Sequence, residues 1–347
     1  MKVFLNGLST AVPEYELPQT LVEDNARRIL GSRYAQFERM SASFQTSGVE
    51  KRYSFAPIDW FQEPKDWQDR NSLYLKGAKD IFIKAATEVL AKSAISADEV
   101  DTIVTVSSTG IATPTIEALA FKEMGFRNDV RRVPVFGLGC AGGVSGLGIA
   151  QSMASSAPGT NVLLVVIEAC TLSFRSDRLQ KADIIATILF GDGAAAAVLS
   201  TTQKNNIELF QGSEHLWPDT LNIMGWDVDN TGLGVVFDRS IPTFAEKHMA
   251  EAISNACEKA GFNKQEIARY VFHPGGAKVV EAIEKSLKLQ TGALDSEREI
   301  LRQFGNMSAP TALFVLNDVL ERGNTGAMML GALGPGFTAS FMPLEIG

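Results

Sequence analysis

The stretch VFGLGCAGGVSGLGIAQ, residues 135–151, decides how the rest of the chain is interpreted. It runs from an apolar segment into a segment of helical character, and Gly137, Gly139 and Gly142 spell G-x-G-x-x-G across the junction. That spacing is typical of a loop that cradles the phosphates of a dinucleotide. Cys140 lies in the same loop, at a predicted helix start that would favour a reactive thiolate. Two different functions therefore compete for one turn.

An internal repeat places this turn in a fold. Segment 73–110 has apolar residues at helical spacing, then a turn and the strand-like DTIVTV, and segment 244–276 repeats that order with ISADEV matching FNKQEI. The apolar positions of the first helix are Ala78, Ile81, Phe82, Ala85 and Val89. In both halves a small-residue turn, a helix and an apolar strand follow. We predict an α/β protein with two duplicated β-α-β halves, residues 1–200 and 201–347.

The repeat also predicts which side chains meet. Cys140 and Asn306 occupy equivalent predicted helix starts, and His273 ends the strand that precedes the second of them. Equivalent points of two related halves approach each other near the pseudo-twofold axis, so a Cys, a His and an Asn are expected to converge. Such a set is typical of nucleophilic catalysis. An amide in the third place favours stabilisation of an oxyanion or enolate over hydrolysis by water.

Composition excludes several other classes. With 32 Lys and Arg against 40 Asp and Glu, the net charge of −8 argues against nucleic-acid binding. No segment reaches the roughly 18 uninterrupted apolar residues of a membrane span. Cys140, Cys170 and Cys257 form no disulfide framework, so we expect a reducing, cytoplasmic setting. Neither CxxC nor HExxH occurs, and no metal site is predicted.

Simpler interpretations remain beside the catalytic one. RRVPVFGLG can be the strand of a Rossmann-type NAD-binding oxidoreductase, with Glu168 as the acidic residue that contacts the ribose. The repeat argues against this, because the equivalent turn GNMSAP has no glycine fingerprint. Cys140 alone can be a buried packing residue and Asn306 an ordinary N-cap. A non-catalytic scaffold with the same fold is a further alternative.

Five ordered motifs resemble those of the thiolase superfamily, and within it the type III polyketide synthases of the chalcone and stilbene synthase family. The motifs are GLGCAGG around Cys140, ILFGDGAAAAVL at 188–199, FHPGG with His273, FGNMSAP with Asn306, and GALGPGFT at 331–338. The resemblance covers nearly the whole chain. It implies a thiolase-like αβαβα layered fold, a homodimer and no metal or cofactor, with acyl-CoA and malonyl-CoA as substrates.

The resemblance also assigns roles to individual residues. Cys140 would carry the acyl group, while His273 and Asn306 would hold the thioester carbonyl of malonyl-CoA and stabilise the enolate. Substrate-contacting positions are implied for Phe190, Ser308, Cys170, Thr113, Gly334, Pro335, Gly336 and Phe237, and a coenzyme A contact for Arg39. Phe190 matches a gating phenylalanine. Thr113 stands where plant enzymes have a methionine that reaches into the partner subunit.

Departures from the plant pattern bear on the substrate. The family has a second gating phenylalanine. In an ungapped alignment Val235 occupies its position, and after a small shift Phe237 does. Cys170 replaces a threonine, and Gln36 replaces a coenzyme A-binding lysine. We therefore expect iterative extension of an acyl starter, including a fatty one, and cyclisation to a pyrone, resorcinol or phloroglucinol. The alternative within this fold is a ketoacyl synthase III-like enzyme that performs one condensation.

Overall fold

A computed structural model describes residues 1–34, 36–178 and 180–347 of the chain. From residue 51 to residue 200 the strands and longer helices alternate, as the sequence predicts. In chain order they are β1 (Val3–Ala11), β2 (Tyr15–Pro18), α1 (Gln19–Leu30), α2 (Phe37–Thr46), β3 (Lys51–Ser54), α3 (Trp67–Lys92), β4 (Thr102–Val106), α4 (Ile116–Met124), β5 (Arg131–Val135), α5 (Gly142–Ser156), β6 (Val162–Ala169), α6 (Lys181–Leu189) and β7 (Asp192–Ser200).

The second half repeats most of this order. Its elements are β8 (Ile207–Leu209), β9 (Ser213–Leu216), β10 (Met224–Asp229), β11 (Gly232–Phe237), α7 (Ile241–Ala260), β12 (Ile267–Phe272), α8 (Ala277–Ser286), α9 (Asp295–Phe304), α10 (Thr311–Glu321), β13 (Gly326–Gly334) and β14 (Thr338–Ile346). The matched segments ISADEV and FNKQEI each contain a 3-10 turn, Ala97–Glu99 and Lys264–Glu266. The predicted duplication is therefore confirmed at the level of single turns.

Strand order reflects the duplication as well. The main path runs β12-β13-β14-β8-β1-β7-β6-β4-β5, with β9 paired to β14. The two halves join through the short antiparallel pair of β1 and β8, in which Val3 faces Leu209 and Phe4 faces Glu208. β4 lies parallel to both β5 and β6, and β12 lies parallel to β13. Between β12 and α10 the described chain forms α8 and α9 and adds no counterpart of β5.

Alternating burial of strand residues produces the layers. Along β6, Leu163, Val165 and Ile167 pack against α3, whereas Val162, Leu164 and Val166 pack against α5 and α10. Along β13, Met328 and Leu330 face the same α5 and α10 core, and Met329 faces α7 and α8. Because side chains alternate across a strand, each half of the sheet separates two cores. The result is the αβαβα layering of the thiolase-like fold, with α5 and α10 in the middle layer.

Candidate active site

Cys140 lies in a 3-10 turn, Gly139–Ala141, between β5 and α5. The turn packs on the loop between β13 and β14, which contains Pro335 and Gly336. A methyl group on Gly139 would lie 2.7 Å from Pro335 Cδ, and one on Gly334 would lie 2.7 Å from Leu138 O. Gly139 also has φ of +47°, a conformation that favours glycine. These glycines let two loops meet around Cys140.

The glycine pattern is therefore not a phosphate cradle. A side chain on Gly142 would press on Val106 Cγ1 at 2.9 Å, and one on Gly143 would overlap the Ala309 carbonyl oxygen. Both glycines let α5 pack closely against β4 and the start of α10. Glu168 is fully buried, and its Oε2 accepts hydrogen bonds from the Ser108 N–H at 3.0 Å and the Thr109 hydroxyl at 2.7 Å. The oxidoreductase interpretation is wrong, because its acidic residue is enclosed in the core of a different fold.

His273 directly follows β12, as predicted from VFHPGG. Its backbone N–H donates to Gly331 O at 2.9 Å, which ties the end of β12 to β13. The ring is buried, and neither Nδ1 nor Nε2 has a hydrogen-bond partner among the described residues. Burial lowers the pKa of His273 to about 3, so the imidazole is neutral at ordinary pH. A neutral ring with two free nitrogens is available to a bound substrate.

Asn306 links two segments that reach the site from different directions. Its Nδ2 donates to Gly275 O at 3.1 Å, in the loop after His273, and its Oδ1 accepts from the Ser308 N–H at 2.8 Å. Its backbone forms an isolated bridge with Phe190. The expected equivalence with Cys140 is only approximate: α5 begins two residues after Cys140, but α10 begins at Thr311 because the bridge keeps Asn306 extended.

Short contacts connect the segments that carry the three predicted residues. The Ser308 hydroxyl lies beside the Cys140 thiol, Ser308 is bonded to Asn306, and Asn306 is bonded to the loop that follows His273. Cys140, His273, Asn306 and Ser308 are all buried. They come from three separate connections of the fold, since Asn306 and Ser308 share the segment between α9 and α10, so only the folded chain brings these connections together.

The electrostatic state of Cys140 differs from the expectation. Burial raises the pKa of the thiol to about 12, and the nearby Ser308 hydroxyl offsets only part of this effect. Glu168 raises the pKa further. The helix start was expected to favour a thiolate, but removal from water outweighs the attraction of the N–H groups. Burial therefore favours the neutral thiol of Cys140, as it favours the neutral ring of His273.

An apolar cluster lies next to this site. Cys170 and Phe190 are buried with Val235, and Phe237 and Trp226 pack against them. The ring of Phe190 contacts Phe237 at 5.6 Å and Trp226 at 6.3 Å between centroids. Val235 and Phe237 share one face of β11. Whichever of the two aligns with the family's second gating phenylalanine, its side chain packs in this apolar cluster. Sequence patterns did not single out Trp226, which β11 places here by pairing it with Val235.

Beyond this cluster lies a small, partly open cavity of about 50 Å³. Cys170 and Phe190 form one side of it, and most of the remaining wall is apolar. Other lining residues include Leu17, Val22, Ile58, Phe61, Asn25 and Arg52. Since a water molecule needs roughly 10–15 Å³ on this scale, the cavity has room for three or four groups of about that size.

Two other predicted positions lie at the surface. Thr113 is exposed in the loop between β4 and α4, and Arg39 is exposed on α2.

Among the described residues no three or more His, Cys, Asp or Glu side chains are grouped as metal ligands. Within residues 1–34, 36–178 and 180–347, no helix is both long enough and apolar enough to cross a bilayer.

The fold and the buried cysteine turn define the class: a thiolase-like acyltransferase. The family of chalcone and stilbene synthases matches through its N-terminal domain over residues 2–202 and its C-terminal domain over residues 208–343. The chain belongs to this family, the type III polyketide synthases. Members need no cofactor and use acyl-CoA and malonyl-CoA as substrates. This match favours a polyketide synthase over the ketoacyl synthase III-like alternative.

Individual relatives agree over nearly the full length. A putative chalcone synthase of Bacillus subtilis is 32% identical, with 98% of this chain and 97% of the relative covered. The 1,3,6,8-tetrahydroxynaphthalene synthase of Streptomyces peucetius is 34% identical, with 98% and 92% covered. The crystal structure of the Streptomyces coelicolor 1,3,6,8-tetrahydroxynaphthalene synthase superposes with a TM-score of 0.93 at 27% identity, covering 99% of both chains.

Proposed function

We propose that this chain extends an acyl starter on Cys140 by repeated decarboxylative condensation with malonyl-CoA. The observation that supports the proposal is the burial of Cys140, His273 and Asn306, whose segments are linked through Ser308 and Gly275. Cyclisation of the extended chain then gives a pyrone, resorcinol or phloroglucinol type of product. The residue roles below belong to the same proposal.

Loading of the starter requires transfer of the thiol proton. The Cys140 sulfur attacks the thioester carbonyl of acyl-CoA, a carbon–sulfur bond forms, and coenzyme A leaves as its thiolate. His273 takes the proton from Cys140 and returns it to the departing thiolate. Because burial raises the pKa of the resting thiol, Cys140 carries its proton before this step and must lose it as the carbon–sulfur bond forms.

Extension uses His273 and Asn306 as hydrogen-bond donors. The malonyl thioester carbonyl lies between the imidazole N–H and the Asn306 amide. Loss of carbon dioxide leaves an enolate whose negative oxygen both groups stabilise. The enolate carbon attacks the acyl carbonyl on Cys140, and the Cys140 thiolate is released. Asn306 is neutral, and burial keeps the His273 ring neutral by lowering its pKa, so neither group carries an acidic proton that would protonate the enolate carbon prematurely.

The cavity beyond Cys170 and Phe190 supports an apolar end of the starter. Its wall is largely apolar, so burying the tail of an aliphatic acyl group there is favourable. Its volume of about 50 Å³ suits a short tail. A fatty starter requires Phe190, Phe237 or Cys170 to move. Phe237, in contact with Phe190, is the second gating residue in this proposal.

A homodimer completes the proposed enzyme. Thr113 lies near the apolar residues Ile111 and Phe136, which are 51% and 62% exposed in the single chain. The two loops that carry them touch, since the Gly137 N–H donates to the Ser108 hydroxyl at 3.1 Å. A paired copy would cover this apolar surface and place Thr113 at the partner's site. The three free cysteines favour a reducing, cytoplasmic setting.

Product analysis tests the proposed function. The purified protein is given a panel of acyl-CoA starters with malonyl-CoA, and the products are identified by mass spectrometry. We expect products with two or more malonyl-derived units. Cys140→Ala abolishes them, and Asn306→Ala lowers their rate by about 10²-fold or more. Cys257→Ala, a buried cysteine on α7, is the matched control and keeps the activity. Single-extension products with every starter would overturn the proposal.

A further inference from the structure

Arg52, on β3, is a buried cation with an unusual set of partners. The residue is 2% exposed, and no carboxylate of the described chain lies within ion-pair distance of it. A buried charge is costly unless other groups satisfy it. Four of its five N–H groups are hydrogen-bonded, and only Nε has no partner.

The partners of Arg52 are the last carbonyls of α6. Nη1 donates to Thr187 O and Phe190 O, both at 2.8 Å, and Nη2 donates to Ile188 O at 2.7 Å and to the Gln19 side chain. The last carbonyls of a helix have no partner within it, and a cation there offsets the helix dipole. Arg52 therefore fixes the position at which α6 ends.

Asn306 takes the carbonyl that Arg52 leaves free. The Asn306 backbone N–H donates to Leu189 O at 2.7 Å, and Asn306 O accepts from the Gly191 N–H at 3.0 Å. Four consecutive carbonyls, 187–190, are thus shared between one arginine side chain and the backbone of Asn306. Packing is tight here, since a methyl group on Gly191 would lie 3.2 Å from Arg52 Cβ.

We infer that Arg52 is a positioning residue that sets Phe190 and Asn306 relative to each other. It also lines the cavity beyond Cys170 and Phe190, but its guanidinium is bonded to the end of α6 and to Gln19. Gln19 orients the guanidinium and also donates to Ile188 O at 3.1 Å. A planar fork of donors suits several carbonyls at once, which a lysine reproduces only in part. The inference rests on the proposed roles of Asn306 and Phe190.

Arg52→Met and Arg52→Lys test this inference. Decarboxylation of malonyl-CoA depends on Asn306, and the preference for starter length depends on Phe190. We expect Arg52→Met to lower kcat for decarboxylation by about tenfold or more. KM should stay within about threefold, and the starter preference should broaden. Alkylation of Cys140 by iodoacetamide should keep its rate, because a different loop holds that turn. Arg52→Lys should restore part of kcat.

Arg70→Met is the matched control. Arg70 is also buried, also has an unpartnered Nε, and holds the carbonyls of Leu172, Phe174 and Lys65. It should lower the melting temperature without broadening the starter preference. The inference would be overturned if Arg52→Met and Arg70→Met lost equally in decarboxylation, starter preference and alkylation rate. It would also be overturned if Arg52→Met decarboxylated malonyl-CoA normally. If Arg52→Met does not fold, Gln19→Leu, which removes one acceptor of the guanidinium, is measured against the same expectations.

Failure of the proposed function would look different. Asn306→Ala is measured with Arg52 intact. If it decarboxylates malonyl-CoA normally, the proposed role of Asn306 fails whatever Arg52 does. If it is inactive while Arg52→Met behaves as the wild type, only the positioning role of Arg52 fails.

Discussion

At the residue scale, burial determines the charge state of the site. It raises the pKa of Cys140 to about 12 and lowers that of His273 to about 3, so both groups are neutral at rest. The sequence predicted the residue types of this candidate site, because their motifs are local. It could not predict their charge state, since that depends on water excluded by Pro335, Ser308 and other residues distant in sequence.

The buried His273 has a consequence for stability against pH. Its folded pKa is about 3, below the ordinary value of about 6.5, so the unfolded chain binds the extra proton first as pH falls. The stability is fully present above pH 6.5 and is lost as pH falls toward 3. At pH 5 this group alone lowers the free energy of unfolding by about 2 kcal/mol relative to pH 8.

Chemical denaturation of wild type and His273→Gln at pH 8 and pH 5 measures this effect. The variant should lose about 2 kcal/mol less than the wild type between the two pH values. Equal losses would mean that the imidazole is accessible to protons in the folded protein. The buried carboxyls Glu168 and Asp192 are present in both proteins and cancel in the comparison.

At the element scale, the contact of α5 with α10 holds Cys140 opposite Asn306. Gly143 on α5 lies so close to the Ala309 carbonyl that any side chain would overlap it. Gly148 on the same helix has ordinary space, with Met342 Cε at 3.7 Å from an added methyl group. The two glycines therefore form a matched pair for substitution.

Gly143→Ala should destabilise the protein by about 1–3 kcal/mol and reduce activity, because α5 must move away from α10. Gly148→Ala should be neutral or stabilise by about 0.5–1 kcal/mol and keep the activity. Thermal unfolding and the product assay measure both. Similar behaviour of the two variants would contradict the close approach at Gly143.

Elements differ in how far sequence predicts them. The face of α3 with Ala78, Ile81 and Phe82 is buried as its spacing predicts, because helical periodicity is local. The paired turns ISADEV and FNKQEI also match. The replacement of a β5 counterpart by α8 and α9 was not predicted, nor was the extended backbone at Asn306. The extended backbone at Asn306 depends on its bridge with Phe190, a contact between segments distant in sequence.

At the scale of the whole molecule, the exposed apolar surface around Thr113 predicts a homodimer. Sedimentation should give twice the mass of the chain. Ile111→Asp and Phe136→Asp should shift the protein toward monomer, because a charge on this surface opposes pairing. Val228→Asp is the control, since Val228 is also exposed, at 66%, but lies on the β10–β11 hairpin. A wild-type monomer, or an equal effect of Val228→Asp, would contradict the predicted interface.

The internal repeat predicts most of the fold but only part of the candidate site. Two halves that repeat a β-α-β order give the layers and bring Cys140 toward Asn306. The cavity beyond Phe190 arises where α1, β3 and α6 pack, and no repeat encodes it. The starter and the number of extensions depend on that packing, so motifs alone do not specify them.

Mapping of acyl groups on Cys140 tests the central claim most directly. The protein is mixed with an acyl-CoA and malonyl-CoA, quenched with acid during turnover, and digested for mass spectrometry. We predict a series of acyl groups on the Cys140 peptide, the starter and its products lengthened by successive two-carbon units. Acyl groups on another residue, or a Cys140 peptide that never carries more than the starter, would contradict iterative extension at this thiol.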